Sequence, residues 1–372
     1  MSSSFQALGR AGEQAAGAFP AFRLAGPEHV LSAHGLRAEV EPGAIESLAV
    51  RLRQFFARNT GGPRLVVGAL PFDRTQDDYL FQPESVARGE PREEAASAAT
   101  SLPHGLRCAI RPQPSPAAYR DAVSACLKLL GQATAGGEEL VKVVLSRSLS
   151  VVSPQPFDAA ALLGALGQDH SVTVFSTLLP REAGAPQPLL IGATPELLVA
   201  KHGAEVVSHP LAGSARRHGD PSADRRSAAA LENSDKDRRE HQAVVDAVFN
   251  ALSPYCRELA APEGTGLRAT ASMWHLGTRV VGTLKDAETP VAELAAALHP
   301  TPAVCGLPRR RAAEVIAELE GYDRGFYAGA VGWADEQGDG EWYVSIRSAR
   351  IAGAQATLYA GAGIVAGSDP AA

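Results

Sequence analysis

A chain of 372 residues, 45% hydrophobic and 20% charged, is long enough to bury a large core and has the composition of an ordinary soluble globular protein. Its formal net charge of −6 argues against nucleic acid as a partner, and no stretch reaches the roughly 18 apolar residues of a membrane-spanning helix. Cys108, Cys126, Cys256 and Cys305 have no short pairwise spacing, and Met1 to Gly17 lacks the apolar core of a signal peptide, so a reduced, cytoplasmic protein without zinc or disulfides is expected.

Residues 1–112 read as short strands, clearest at 64–70 and 107–110, with a helical segment at 45–58 and an Ala/Ser/Glu/Arg loop at 87–101. They form an N-terminal part of the same compact unit as residues 113–372. Pro112 to Pro116 stiffens the boundary, and helical periodicity follows over 117–134. Next comes Leu140-Val141-Lys142-Val143-Val144-Leu145, a strand that is apolar on both faces but for one lysine. Burial disfavours an ammonium, so Lys142 is a candidate general base as a neutral amine; the alternative is a stem that carries its charge out to solvent.

A helix is expected over 157–166, a strand over 172–179 and a loop over 180–188. Strands at 189–191 and 197–200 then flank the corner Gly192-Ala193-Thr194-Pro195-Glu196. A carboxylate in that apolar setting is desolvated and can hold a proton near neutral pH, as a general acid must; otherwise Glu196 is a strand-end residue facing water. The segment 205–208 pairs back on 197–200 as a hairpin, and Ser208-His209-Pro210-Leu211-Ala212-Gly213-Ser214 reads as a turn. Arg216-Arg217 and Arg225-Arg226 fall in a Gly/Asp/Pro/Ser loop, a solvated connection or a locally positive spot for a small anion.

In the long helix that follows, a wheel centred on Val244, Val245, Val248 and Leu252 puts Asp237 and His241 in the apolar stripe and Glu240 at its edge. Periodicity does not single out Glu240: the polar residues either meet a buried cation or hydrogen-bond partner, or form a solvated first turn. Strand character returns at 274–276 and 279–284, and a helix at 291–298 ends at His299-Pro300-Thr301-Pro302-Ala303. Strands at 328–334, 342–351 and 356–359 close the chain as an antiparallel meander, which gives an α+β fold with large antiparallel β-sheets flanked by helices. In the second of these, alternation places Tyr343, Ser345 and Arg347 on one face, where the arginine can fork onto a carboxylate. Gly361-Ala362-Gly363 reads as a turn that, with Gly213-Ser214, lets a ligand oxygen approach backbone N–H groups.

From Tyr119 onward these segments resemble, in order, the chorismate-utilising enzymes, a family of anthranilate, aminodeoxychorismate, salicylate and isochorismate synthases. The motifs are Lys142-Val143-Val144-Leu145-Ser146-Arg147, Gly192-Ala193-Thr194-Pro195-Glu196, Pro210-Leu211-Ala212-Gly213-Ser214, Lys236-Asp237-Arg238-Arg239-Glu240-His241, Leu298-His299-Pro300-Thr301-Pro302-Ala303 and Tyr359-Ala360-Gly361-Ala362-Gly363-Ile364. Met273-Trp274-His275-Leu276 and Val304-Cys305-Gly306-Leu307-Pro308 are similar to the siderophore-type isochorismate synthases. The resemblance implies the fold of anthranilate synthase component I and water addition to chorismate rather than ammonia addition, because members adding ammonia carry glutamine where Lys142 stands.

It further implies Lys142 as base, Glu196 as acid, Glu240 as a ligand of Mg²⁺, and Gly213, Ser214, His275, Ala303, Arg347 and Gly361 against the substrate. A monomer without a glutamine amidotransferase subunit is the matching expectation. Salicylate synthase, and a weakly active chorismate-binding homologue, are the alternatives. The second has a specific basis, since family members continue past Gly-Ser-Asp-Pro into a helix whose glutamate is a second Mg²⁺ ligand, whereas this sequence ends at Gly367-Ser368-Asp369-Pro370-Ala371-Ala372. Glu314, Glu318 and Glu320 are the candidates to complete the metal site in that case.

Overall fold

The computed structural model describes residues 19–89, 107–132 and 139–371. The stretch Met1 to Gly17, most of the 87–101 loop and the end of the 117–134 helix lie outside the described residues. Every strand pairing among those described is antiparallel, as short connections require. A ten-stranded sheet runs from Gly306–Leu307 through Lys142–Val152, Gln355–Val365, Ser348–Ala352, Leu189–Thr194, Thr173–Leu178, Phe22–Ala25 and Val30–His34 to Ser85–Gly89, with Ala109–Gln113 also on Lys142–Val152. A nine-stranded sheet orders Cys256–Ala260, Val280–Leu284, Glu205–His209, Leu197–His202, Gly340–Val344, Ala330–Asp335, Leu65–Leu70, Tyr79–Gln82 and Ala38–Glu39. Both contain strands from before and after residue 112, so the two parts of the chain share their sheets.

Side-chain alternation builds the layers. In Leu65–Leu70, Leu65, Val67 and Ala69 face a core between the sheets with Phe22, Phe175 and Trp333, while Val66 and Leu70 face a second core. That second core takes in Leu48, Leu52, Leu294 and Val315 from the helices Leu48–Arg58, Val291–Leu298 and Arg309–Glu320. On the opposite side Leu163 of the helix Ala159–Leu166 packs on Val174 and Ile191. A small third sheet of Leu211–Arg216, Met273–Thr278 and Thr265–Ala269 packs against Pro221–Glu232 and Asp235–Leu252. Both of these helices begin at a capping side chain, Asp220 and Ser234.

Several expectations change. The segment 211–216 is a strand rather than a turn, because Leu211 and Ala212 pair with Gly277 and Leu276. Arg225 and Arg226 lie on the capped helix Pro221–Glu232, and Arg217 is bound to Asp224, so neither pair sits in a solvated loop. Gly361, Ala362 and Gly363 are inside the strand Gln355–Val365, opposite Ser146, Leu145 and Val144. The segment 342–351 is two strands, Gly340–Val344 and Ser348–Ala352, which belong to different sheets.

Candidate active site

The candidate site lies where the chain changes sheets. One strand leaves the first sheet at Thr194 and enters the second at Leu197, with Glu196 in the link. Beside it the chain returns from Val344 to Ser348, with Arg347 in the link. The two crossings are bonded together, Val344 N–H donating to Glu196 C=O at 3.0 Å and Ala193 N–H to Arg347 C=O at 3.2 Å. Arg347 holds φ 50°, in the left-handed region, so it is not on the strand face with Tyr343 that alternation predicted. Strand order thus brings together a carboxyl and a guanidinium that lie about 150 positions apart, the distance from 196 to 347 in the sequence.

Glu196 is 2% exposed. Burial pushes its carboxyl up to about 8, against the opposing pull of the nearby Lys142 charge. It therefore holds a proton at neutral pH, as the apolar corner implied, and it does not face water. Lys142, 3% exposed, starts the long strand of the first sheet, and its Nζ lies 2.8 Å from Glu240 Oε1. Neither sequence reading of that lysine foresaw a carboxylate partner. Its stem does not reach solvent. The strand opposite makes room for the pair: a Cβ on Gly363 would stand 2.9 Å from Glu240 Oε1 and 3.1 Å from Lys142 Cε.

Arg347 reaches the third sheet. Its guanidinium donates to Thr270 Oγ1 at 3.2 Å and to His275 Nε2, whose Nδ1 is 2.7 Å from Ser214 Oγ. Since Nε2 accepts, the proton of the neutral ring sits on Nδ1 and is donated to Ser214. Burial, then the Arg347 charge, lowers His275 to about 4, consistent with a neutral imidazole. Gly213 adopts φ 78° beneath Asp237 of the helix Asp235–Leu252, the helix that delivers Glu240. Ala303 is half-buried in a turn closed by Val304 and Cys305 N–H groups on Thr301 C=O. Gly361 lies on the same strand as Gly363, with Tyr327 Oη 3.1 Å from where its Cβ would be.

Among the described residues no group of three or more His, Cys, Asp or Glu side chains is gathered as a metal cage. Glu240 sets its carboxylate against Gly363, beside Lys142. That donor set suits Mg²⁺, which is commonly held by one or two carboxylates with substrate oxygens and water. Glu314, Glu318 and Glu320 do not join it: the first two are bound to Arg310 and Arg311 on the surface, and Glu320 to Arg324 in the interior.

A family model described as "Chorismate binding enzyme" matches residues 75–372, most of the chain. The chain belongs to this family of chorismate-binding enzymes. It is 44% identical to the isochorismate synthase DhbC of Bacillus subtilis (strain 168), over 94% of this chain and 89% of that protein. It is 39% identical to the isochorismate synthase EntC of Escherichia coli (strain K12), over 82% and 76%. The crystal structure of DhbC from Bacillus anthracis superposes with a TM-score of 0.85 at 40% identity, covering 95% of this chain and 92% of that one. Anthranilate synthase component I from Streptococcus pneumoniae shares the fold, with a TM-score of 0.70 at 20% identity. This chorismate-binding enzyme therefore has the α+β architecture read from its sequence. Sequence reading passed over Thr270, which holds Arg347, and read Gly363 as part of a turn rather than as the strand residue that accommodates the Lys142–Glu240 pair.

Proposed function

We propose that this chain is an isochorismate synthase, an isomerase that adds water at C2 of chorismate and expels the C4 hydroxyl. The observation that carries the proposal is the buried lysine and buried protonated carboxyl brought to one site, with Arg347 beside them. A carboxyl that burial keeps protonated can run the acidic step of a reaction whose basic step falls to a neighbouring side chain. Lys142 takes a proton from the water attacking C2 through its amine lone pair. Glu196 gives its proton to the hydroxyl leaving C4, so one water enters and one departs. Arg347 and Ser214 hold carboxylate oxygens of the substrate, the arginine through its fork and the serine through its hydroxyl. Glu240 would hold Mg²⁺, which supplies positive charge against a substrate carboxylate.

Relatives named isochorismate synthase at about 40% identity support the same reading. Water as nucleophile makes a glutamine amidotransferase subunit unnecessary, and the reading goes with a cytoplasmic monomer feeding 2,3-dihydroxybenzoate and siderophore formation. Incubation of the purified protein with chorismate and Mg²⁺, with products separated by chromatography, tests it. Isochorismate is the expected product. Salicylate with pyruvate would make it a salicylate synthase instead, and unchanged chorismate would overturn the proposal.

A further inference from the structure

The edge of the strand that carries Lys142 has a break in its ladder. Gly306 and Leu307 pair with Val143 and Lys142, and Ala109–Gln113 pairs with residues 148–152. Between these two short neighbours, the last backbone bond from the first is Val144 N–H to Cys305 C=O at 2.8 Å. Val144 C=O and Ser146 N–H then point at no strand. Buried backbone groups need partners, and here side chains supply them. Arg324 Nη2 donates to Val144 C=O at 2.6 Å, and Ser146 N–H donates to Glu320 Oε1 at 2.6 Å.

Glu320 and Arg324, each 4% exposed, are bonded to each other, Nε to Oε2 at 2.8 Å and Nη2 to Oε1. The remaining capacity of the pair is used as well. Arg324 Nη1 donates to Val304 C=O at 2.9 Å, its guanidinium stacks 4.2 Å over Phe72, and Ser146 Oγ donates to Glu320 Oε1 at 2.9 Å. Tyr322 closes the network from above, its hydroxyl 2.6 Å from Ser146 Oγ. Only a planar fork can meet three acceptors on three segments at once.

The segments so joined are the ones that deliver the site. Val144 is two residues from Lys142, and Val304 adjoins Ala303. We propose that Glu320 and Arg324 are positioning residues: the pair takes the place of a missing strand and fixes the Lys142 strand against the Thr301–Cys305 turn. The inference rests on the proposed role of Lys142, since a reacting amine displaced by about 1 Å can lose on the order of a hundredfold in rate.

The test compares Arg324→Lys, which keeps the charge but not the fork, and Glu320→Gln, which keeps the shape and one acceptor, with the wild-type chain. Deuterium exchange of peptides covering 142–147 and 301–306 is measured alongside kcat and KM for chorismate. The expected result is exchange at least about tenfold faster in those peptides only, with the helix Leu48–Arg58 unchanged, kcat lower by about ten- to a hundredfold and KM within about threefold. Faster exchange with kcat near wild type would reduce the pair to a structural role and overturn the proposal. So would a loss of kcat without a local change in exchange, or failure of both variants to fold. If the wild type does not isomerise chorismate, the functional proposal fails by itself, and the exchange arm still reports whether the pair holds the strand.

Discussion

Two buried ion pairs flank one strand, and they are bonded very differently. Glu320 and Arg324 use their polar atoms on each other, on three backbone groups and on a serine hydroxyl. Lys142 and Glu240 share a single 2.8 Å contact, and beside them Glu196 Oε1 is buried with no hydrogen-bond partner among the described residues. A folded chain tolerates an unsatisfied buried polar atom where a ligand completes it, whereas a structural pair is satisfied from within. Each side of the contrast can be broken on its own.

The largest effect is expected at the under-bonded side. Lys142→Gln is one atom shorter but keeps a hydrogen-bond donor toward Glu240, and it has no lone pair of adequate basicity. Loss of a general base removes roughly two to four orders of magnitude in rate, about 3 to 5 kcal/mol. The variant should retain its fold by circular dichroism. Isomerisation of chorismate within about threefold of wild type would remove Lys142 from the role.

On the fully bonded side the cost should fall on stability. Arg324→Met leaves the Glu320 carboxylate buried without its cation, which costs roughly 3 to 5 kcal/mol when one partner of such a pair is removed. Urea titration measures it, and a loss below about 1 kcal/mol would mean that the pair does not clamp the fold.

These two regions were unequally legible in the sequence. Lys142 and Glu196 stood out because each is a lone charge in an aliphatic run, a pattern that reports burial directly. Glu320 ends the helix Arg309–Glu320 and Arg324 follows it in the loop after Gly321; the charged residues of that helix mostly face solvent, so nothing local marks the two that turn inward. Arg347 was chosen from a strand geometry that the chain does not have. Period-two alternation cannot register a chain that leaves one sheet at Val344 and joins another at Ser348. Gly361 and Gly363 looked like a turn because glycine usually marks one, but Gly363 is needed for the absence of a Cβ against Glu240 and Lys142.

A smaller and pH-dependent effect should mark Glu196. Its carboxyl is raised from 4.5 to about 8 in the folded chain, so the folded state binds a proton that the unfolded state has released. The sign follows: the carboxyl costs nothing below pH 4.5, and stability is lost progressively as pH rises from there to about 8. Glu196→Gln should therefore gain stability relative to wild type across that interval, by up to a few kcal/mol, while losing activity. For the wild type, kcat/KM should fall as pH rises through about 8, where the proton for the leaving hydroxyl is gone. A kcat/KM that stays flat through pH 9 would exclude Glu196 as the acid.

The smallest effect concerns Glu240, and it bears on why the Lys142–Glu240 pair shares a single contact. If this carboxylate turns from Lys142 to a cation shared with the substrate, then chorismate and Mg²⁺ should each tighten the binding of the other, by a typical coupling of about 1 to 3 kcal/mol. Without the ion, a substrate carboxylate would approach Glu240 as one like charge approaches another. Glu240→Gln removes the ligand charge, so it should weaken Mg²⁺ binding and erase most of the coupling, while Lys142 keeps a hydrogen-bond acceptor at the same place. Calorimetric titration of chorismate with and without Mg²⁺, on wild type and variant, reads both. Equal chorismate affinity in the presence and absence of the ion would show that no cation bridges the two. Glu240 would then act on Lys142 alone, and the pair would be an orienting contact for the base rather than half of a metal site.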